Sequence, residues 1–562
     1  MEGVPRREAL IGGWAAAVAT VAAGTALARR PPGAPATAPT TTVPPPSPMA
    51  GPMAAPVDGA PVGEAAPAAS ETALTGGAPR IGVDRPGGDG VPDRTPLTGE
   101  ALVLHVARRA SFGPTPELLA DIRAAGPAAW LESQLAPEAI DDSALEGYIA
   151  GIPGFDALGW TNQRGASASD VDLRFVARCL RHATVLRAQS SHRQLNEVLV
   201  DLWSNHLNTW MGHPVVARYL HTQDRDVIRP HALGRFADLL LASARSPAML
   251  AYLDLASSSA PAPNENYGRE LLELHSVGVD AGFTESDVRG ASIVLTGWTI
   301  DGRGNFTYDP GRHDASPAAV LGWSTPGRTG GDGLADGESL LSYLAHHPAT
   351  ARRVATVIAR RFVADDPPAD TVDEGAAAYL ANDTDIRATV RAILGGSAFL
   401  AGGGPKLRRP FETVVAALRA TGATVDPYPR NHAAAELDGH LTRAGHRLFD
   451  RAAPDGYPDR ATGWASSSSL LARWSFVAQL LHGSIPGVGV DYARVLPATP
   501  ATAGEVVDGC ATALLGHPLA PERRAAIVGF LGVADGAPAA VATDRLPAVG
   551  ALVLSSPEAE YR

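Results

Sequence analysis

The sequence predicts a mainly α protein, a multi-helix globular domain with at most a minor β-hairpin. After Leu97, apolar residues recur at spacings of three and four, which is the period of a helix that buries one face. Helix-start signals accompany this spacing, for example Thr115 directly before Pro116. Runs that alternate apolar and polar residues are few, and the best lies at residues 297 to 308, where we expect one hairpin.

The helical pattern continues along most of the chain. Further helices are predicted at residues 192 to 211, 266 to 278, 285 to 296, 338 to 346, 349 to 363, 385 to 395, 410 to 421 and 468 to 482. No repeat of fixed period is present, which disfavours a solenoid. We therefore predict a helical domain over residues 98–485 and a helical carboxy-terminal extension over residues 486–562, where Ala, Gly and Pro recur.

The amino terminus has the pattern of an export signal. Arg6 and Arg7 precede an uncharged run from Ala9 to Ala28 that is rich in Ala and Gly. This pattern is typical of a twin-arginine signal peptide, here residues 1–28, with a small-residue cleavage site at its end. The alternative is an uncleaved signal, which would be the protein's single attachment to the membrane. Both alternatives predict an extracellular or cell-envelope location.

Residues 29–97 form a second region of different composition. Pro, Ala, Thr and Gly dominate it, as in the run of three prolines from Pro44 to Pro46. Such a segment has too few large apolar side chains to offset the loss of chain entropy on folding. We therefore expect a disordered linker, which acts either as a spacer or without a specific role.

Charge and cysteine content exclude two classes of function. The chain carries 47 Lys and Arg against 59 Asp and Glu, a formal net charge of −12, so a nucleic-acid partner is not expected. Cys179 and Cys510 are the only cysteines and are too few for a disulfide framework or a cysteine zinc site. Lys406 is the only lysine of the chain, which either reflects chance or marks a role for its ammonium group.

His206 is the first candidate site residue. At 3.6 residues per turn, it lies on the same helical stripe as Leu195, Leu199, Leu202 and Trp210, so its imidazole faces the interior. Such a histidine is either a hydrogen-bonded core residue or a metal ligand or acid–base group.

Glu270 and Glu273 are the second candidates. They lie about 60° apart on one helix face at 100° per residue, with Asn266 beside them. Two neighbouring carboxylates can bind a hard cation, or can divide into a general acid and a general base because repulsion separates their pKa values. The alternative is a surface ion pair between Arg269 and Glu273 at i,i+4.

His313 and Asp314 are the third candidates. They follow Pro310 and Gly311 in a turn-rich segment, where ligand and catalytic residues are common but ordinary turns are too.

Seven motifs occur in a characteristic order across residues 100 to 482. They lie at residues 104–113, 203–207, 264–274, 295–298, 313–314, 347–351 and 409–412. In these motifs the sequence resembles the bacterial family called domain of unknown function 1800. The resemblance implies an exported, largely helical protein without an established activity, often encoded beside a secreted sulfatase-like protein, which is therefore a candidate partner.

Three functional hypotheses follow. The first is a metal-dependent hydrolase or oxidoreductase whose Zn, Mn or Fe ion is held by His206, Glu270, Glu273, His313 and Asp314. The second is a metal-free hydrolase of polysaccharide in which Glu270 and Glu273 are acid and base, and in either enzyme His206 is a catalytic candidate. The third is a non-catalytic cell-envelope protein that binds a partner or a glycan in a groove between helices.

The twin-arginine interpretation predicts that replacing Arg6 and Arg7 together by lysine traps the precursor inside the cell, because this route requires the arginine pair. Immunoblotting of cell and envelope fractions measures the effect. Normal secretion of the double variant would contradict the prediction.

Overall fold

A computed structural model describes residues 94–427 and 432–562 of the chain. The predicted signal peptide at residues 1–28 and the predicted linker as far as residue 93 lie outside the described residues. Arg94 pairs with Asp370, and the Leu97 amide donates to the Leu400 carbonyl at 2.8 Å. The last four residues of the predicted linker therefore pack on the folded part.

The amino-terminal part is a series of helices that begin at local capping signals. They are α1 (Gly99–Arg109), α2 (Pro116–Ala125), α3 (Pro127–Gln134), α4 (Ser143–Gly151), α5 (Asn162–Ala166) and α6 (Asp170–Ser190), with 3₁₀ turns at Pro137–Ala139 and Phe155–Gly159. As predicted, the Thr115 hydroxyl accepts from the Leu118 amide and Pro116 occupies the first turn of α2. Gly126, at φ 82°, separates α2 from α3.

The middle of the chain contains shorter helices and two π-helical turns. The helices are α7 (Gln194–His206), α8 (Leu220–Thr222), α9 (Arg229–His231), α10 (Phe236–Ala244), α11 (Pro247–Tyr252), α12 (Asn266–Glu270) and α13 (Glu285–Val294). The π turns are Gln223–Ile228 and Leu271–His275, and 3₁₀ turns lie at Val216–Arg218, Leu255–Ser257 and Val279–Ala281. The helix predicted at 192 to 211 ends at His206, so the prediction that Trp210 shares its stripe was wrong.

Short antiparallel strands interrupt the helices. β1 (Trp298–Ile300) pairs with β2 (Phe306–Tyr308), which is the predicted hairpin. Two more pairs lie in the described residues, β3 (Ala318–Val320) with β4 (Trp323–Thr325), and β5 (Thr424–Val425) with β6 (Val488–Gly489). The protein is mainly α as predicted, and the described residues contain three short strand pairs rather than one.

The remaining chain is helical to its end. The helices are α14 (Asp332–Ala345), α15 (Pro348–Phe362), α16 (Ala369–Ala381), α17 (Ile386–Gly395), α18 (Ser397–Leu400), α19 (Pro410–Ala420), α20 (His432–Arg443), α21 (Ser467–Leu481), α22 (Tyr492–Val495), α23 (Ala503–Leu515), α24 (Pro521–Leu531), α25 (Ala540–Thr543), α26 (Leu546–Leu554) and α27 (Pro557–Glu560), with a 3₁₀ turn at Ala461–Gly463. No described helix is long and apolar enough to span a bilayer.

A large apolar core connects most of these helices, beside two smaller apolar clusters around α4, α6 and α8. It extends from Val106 in α1 through Trp203 in α7 and Phe411 in α19 to Val553 in α26. Helix α26 packs against both α21 and α23. Residues 486–562, which the sequence separates as an extension, thus share a core with residues 98–485.

A buried ionic network lies beside this core at Glu412. The carboxylate of Glu412, which is 1% exposed, pairs with Arg361, with Arg409 at 3.1 Å and with Arg562 at 3.4 Å. Asp201 on α7 pairs with Arg409 as well, and with Arg361 at 3.3 Å. Burial acts to raise the pKa of Glu412, but the three guanidinium groups outweigh it and hold that pKa well below its usual range.

Lys406 extends the network. Its ammonium is 2.9 Å from Asp365 and 2.8 Å from Asp459, and its side chain is buried. The backbone of the carboxy-terminal segment pairs with this stretch, since the Arg562 amide donates to the Lys406 carbonyl at 2.9 Å. The only lysine therefore has a structural position between two carboxylates.

Glu412→Gln should lower the free energy of unfolding by about 3–5 kcal/mol, because the substitution leaves buried guanidinium charge uncompensated. Chemical denaturation measures the change. The pKa of Glu412 is lowered by folding, so its contribution is present at neutral pH. The contribution is lost as the pH falls below about 4, and the difference between variant and wild type should narrow there.

Asp373→Asn is the matched control, since Asp373 forms an exposed pair with Arg352 and its loss should cost less than about 1 kcal/mol. Equal destabilisation by the two variants would contradict the assigned role of Glu412.

Candidate functional site

His206 lies at the end of α7 among aromatic side chains. Its ring is 5.7 Å from that of Trp203 and 6.3 Å from that of Phe236, and its Nε2 is 3.4 Å from the His275 carbonyl oxygen. Burial, and then the charge of Arg353, lower the pKa of His206 to about 3, so the imidazole is neutral at physiological pH. These contacts are those of a histidine packed in the core.

Glu270 and Glu273 lie next to each other where α12 continues into a π turn. Arg269 lies 3.7 Å from Glu273, which is the predicted i,i+4 pair, and its closest partner is Glu285 at 2.6 Å. Burial, and then the charge of Glu273, raise the pKa of Glu270, whereas Arg269 lowers it. The two carboxylates therefore differ in surroundings, and a general-acid role for Glu270 stays a prediction.

His313 and Asp314 are both bound by one threonine. The Nδ1 of His313 lies 3.0 Å from the Thr296 carbonyl oxygen and 3.3 Å from its hydroxyl. The Asp314 amide donates to that hydroxyl at 2.7 Å, while the Asp314 carboxylate accepts from the Ser316 amide at 3.0 Å. This arrangement stabilises the turn that follows β2.

Glu270 thus lies beside Glu273, and His313 and Asp314 share Thr296, while His206 contacts aromatic rings and a carbonyl. Within residues 94–427 and 432–562, no group of three or more His, Cys, Asp and Glu side chains is placed to hold a metal ion. A Zn, Mn or Fe site stays a prediction.

The asparagines beside His206 bind the loop at residues 449–457. Asn205 donates to the Tyr457 carbonyl at 2.8 Å and accepts from the Tyr457 amide at 2.7 Å, as a backbone strand would. Asn208 donates to the Arg451 and Ala453 carbonyls at 3.0 and 2.9 Å. Helix α7 therefore ends where its side chains begin to bind a distant loop.

Gly456 makes this contact feasible. Its φ is 70°, and a Cβ there would lie 2.3 Å from the Asn205 carbonyl oxygen. The asparagines that follow Trp203 thus hold the loop at residues 449–457 in place.

A groove of about 1070 Å³ lies on the amino-terminal helices. Its walls are α2, α3, the segment joining α6 to α7, and the end of α19. Its lining residues are Thr115, Glu117, Leu118, Asp121, Ala124, Ala125, Trp130, Ser133, Gln134, Ile140, Asp141, Gln189, Ser190, Ser191, His192, Gln194, Leu418, Arg419, Gly422, Ala423 and Arg494. Hydroxyl, amide and charged groups are frequent among them, so the groove can form many hydrogen bonds.

Arg419 lies deep in this groove and is 8% exposed. Its Nε donates to the Gly113 carbonyl at 3.1 Å and its Nη1 to the Gln189 carbonyl at 2.6 Å. Burial lowers the pKa of Arg419 to about 10, while Glu117 acts to raise it, and the group remains charged at neutral pH. Glu117 itself pairs with Arg494.

Gly113 brings its carbonyl to Arg419 through a close helix contact. Its φ is 143°, and a Cβ there would lie 3.0 Å from the Ala416 Cβ on α19. This groove was not predicted from the sequence. One signal was present: Arg419 is seven residues after Glu412 and four after Val415, which places a charge on the buried face of α19.

The chain belongs to the family of proteins of unknown function DUF1800, whose family model matches residues 105–561. The match includes the motifs that carried the resemblance and also most of residues 486–562. Neither a curated protein nor a solved structure matches the chain.

Asn205→Ala should release the loop at residues 449–457, because it removes both hydrogen bonds to Tyr457. The expected cost is about 1–3 kcal/mol, with faster amide exchange at Tyr457 measured by hydrogen–deuterium exchange.

The control is Asn382→Ala, which removes an exposed side-chain bond to the Ala378 carbonyl at 2.8 Å and should leave the loop unchanged. Unaltered amide exchange at Tyr457 in Asn205→Ala would show that the Asn205 hydrogen bonds are not needed to hold the loop.

Proposed function

We propose that this protein is an exported, non-catalytic binding protein of the cell envelope that holds a glycan chain in the groove between α2, α3 and α19. The observation that carries the proposal is the groove itself, about 1070 Å³ in volume and lined largely by hydrogen-bonding side chains. Its volume slightly exceeds the ~300–1,000 Å³ typical of small-molecule sites, which suits several linked sugar rings.

The chemistry of the lining also favours a sugar. Sugar hydroxyls both donate and accept, so they need amide, hydroxyl and carboxylate partners together. Ser133 and Ser190 supply hydroxyl groups, and Asp121 and Asp141 supply exposed carboxylates. The indole of Trp130 adds an apolar surface at the inner side of the groove.

Binding rather than hydrolysis is proposed because the carboxylates predicted to act as acid and base, Glu270 and Glu273, do not line this groove. The predicted route of export supports a ligand outside the cytoplasm, where polysaccharide is abundant. Arg6 and Arg7 and the Pro-, Ala- and Thr-rich residues up to 93 favour a folded domain carried on a spacer.

Ala124→Trp should weaken glycan binding at least about tenfold, because the indole would occupy the groove. Ala124 is an exposed residue on α2, so the substitution leaves the core intact. Retention of the purified protein on a panel of immobilised envelope polysaccharides measures binding.

Ala377→Trp, at an exposed position of α16 away from the groove, is the control and should bind as the wild type does. Absence of wild-type retention on every polysaccharide of the panel, or equal retention of Ala124→Trp, would contradict the proposal.

A further inference from the structure

The guanidinium group of Arg419 is a buried cation without a carboxylate partner among the described residues. Arg361, Arg409 and Arg473 each pair with a carboxylate, whereas Arg109 and Arg408, like Arg419, bind backbone carbonyls; of these three, Arg419 lines the groove. Arg419 instead contacts two backbone carbonyls through Nε and Nη1.

The other terminal nitrogen of this guanidinium, Nη2, has no hydrogen-bond partner in the part of the chain that the structure describes. Arg419 lines the groove, and Glu117, the carboxylate whose charge acts on it, is already paired with Arg494. The protein thus holds an incompletely compensated positive charge, and a donor with free hydrogen-bonding capacity, inside a cavity open to solvent. Such a charge favours an anion that accepts from the free edge of the guanidinium.

Gln189 provides a second, independent observation. Its Nε2 donates to the Ala423 carbonyl at 2.6 Å, but its Oε1 is buried and has no partner within the described chain. The backbone carbonyl of Gln189 accepts from Arg419, and both residues line the groove. A uronic acid combines a carboxylate for Arg419 with hydroxyls for the exposed polar side chains of the groove.

We propose that Arg419 binds the carboxylate of a uronic acid, so that the glycan held in the groove is a polysaccharide in which uronic acid residues alternate with neutral sugars. The inference rests on the proposed function and narrows it to a class of ligand. Arg419 selects the charged residue of the glycan.

The alternation of uronic acid residues with neutral sugars is inferred from the other charged side chains of the groove. Asp121 and Asp141 are exposed acidic residues in its lining, and the charges of Glu117 and Arg494 cancel as a pair. A polymer with a carboxylate on every ring would place negative charge beside Asp121 and Asp141, where like charges repel. Neutral sugars at those positions would instead donate hydroxyl hydrogens to the two carboxylates.

The test is calorimetric titration of the purified full chain with four probes. They are a hyaluronan tetrasaccharide, in which glucuronate alternates with N-acetylglucosamine, its methyl ester, tetragalacturonate, and a peptide with a free terminal carboxylate. The wild type should bind the hyaluronan tetrasaccharide at least about tenfold more tightly than each of the others. Arg419→Gln should abolish the difference between acid and ester, and Arg419→Lys should retain part of it. Arg352→Gln, at an exposed ion pair, is the control.

Each outcome decides the inference. Equal binding of acid and ester by the wild type would overturn it while leaving glycan binding in place. Tighter binding of tetragalacturonate would contradict the alternation of charged and neutral sugars. Tighter binding of the peptide would contradict a sugar as the ligand. Binding of none of the four probes would contradict recognition of a uronic acid. Retention of the protein on immobilised neutral polysaccharides tests the proposed function separately. If Arg419→Gln does not fold, the comparison of acid and ester on the wild type still decides.

Discussion

The ion pairs of Glu412 are the interaction on which the rest of this structure depends. Glu412 lies in the first turn of α19, where its carboxylate accepts from the Arg409 amide at 2.9 Å and faces three guanidinium groups. These ion pairs join elements that are far apart in sequence. They hold α7, α15 and the chain end at Arg562 at the first turn of α19. A buried charge left without its partners would cost more than a lost surface pair, so this arrangement strongly restricts how the helices can pack.

The same helix connects the network with the groove. Glu412 begins α19 and Arg419 lies near its end, so the contacts that fix the first turn also fix the position of the groove cation. Gly113 lets the segment after α1 approach α19, and its carbonyl orients the guanidinium. The groove is therefore built on a rigid helix, as a site that selects a ligand by position requires.

Local features of the structure could be predicted from sequence, and features set by distant contacts could not. Thr115 caps its helix as expected because its partner is three residues away. The helix at residue 194 ends earlier than its periodicity predicts, because Asn208 bonds to carbonyls more than 240 residues later in the chain. The position of Arg419 in the groove was not predicted for the same reason, since its partners Gly113 and Gln189 are 306 and 230 residues away in the chain.

The structure of the protein in complex with a hyaluronan tetrasaccharide tests the central claim most directly. The sugar is expected in the groove between α2, α3 and α19, with one uronate oxygen about 2.7–2.9 Å from the Arg419 Nη2. A tetrasaccharide bound elsewhere, for example beside Glu270 and Glu273, with Arg419 untouched, would contradict it.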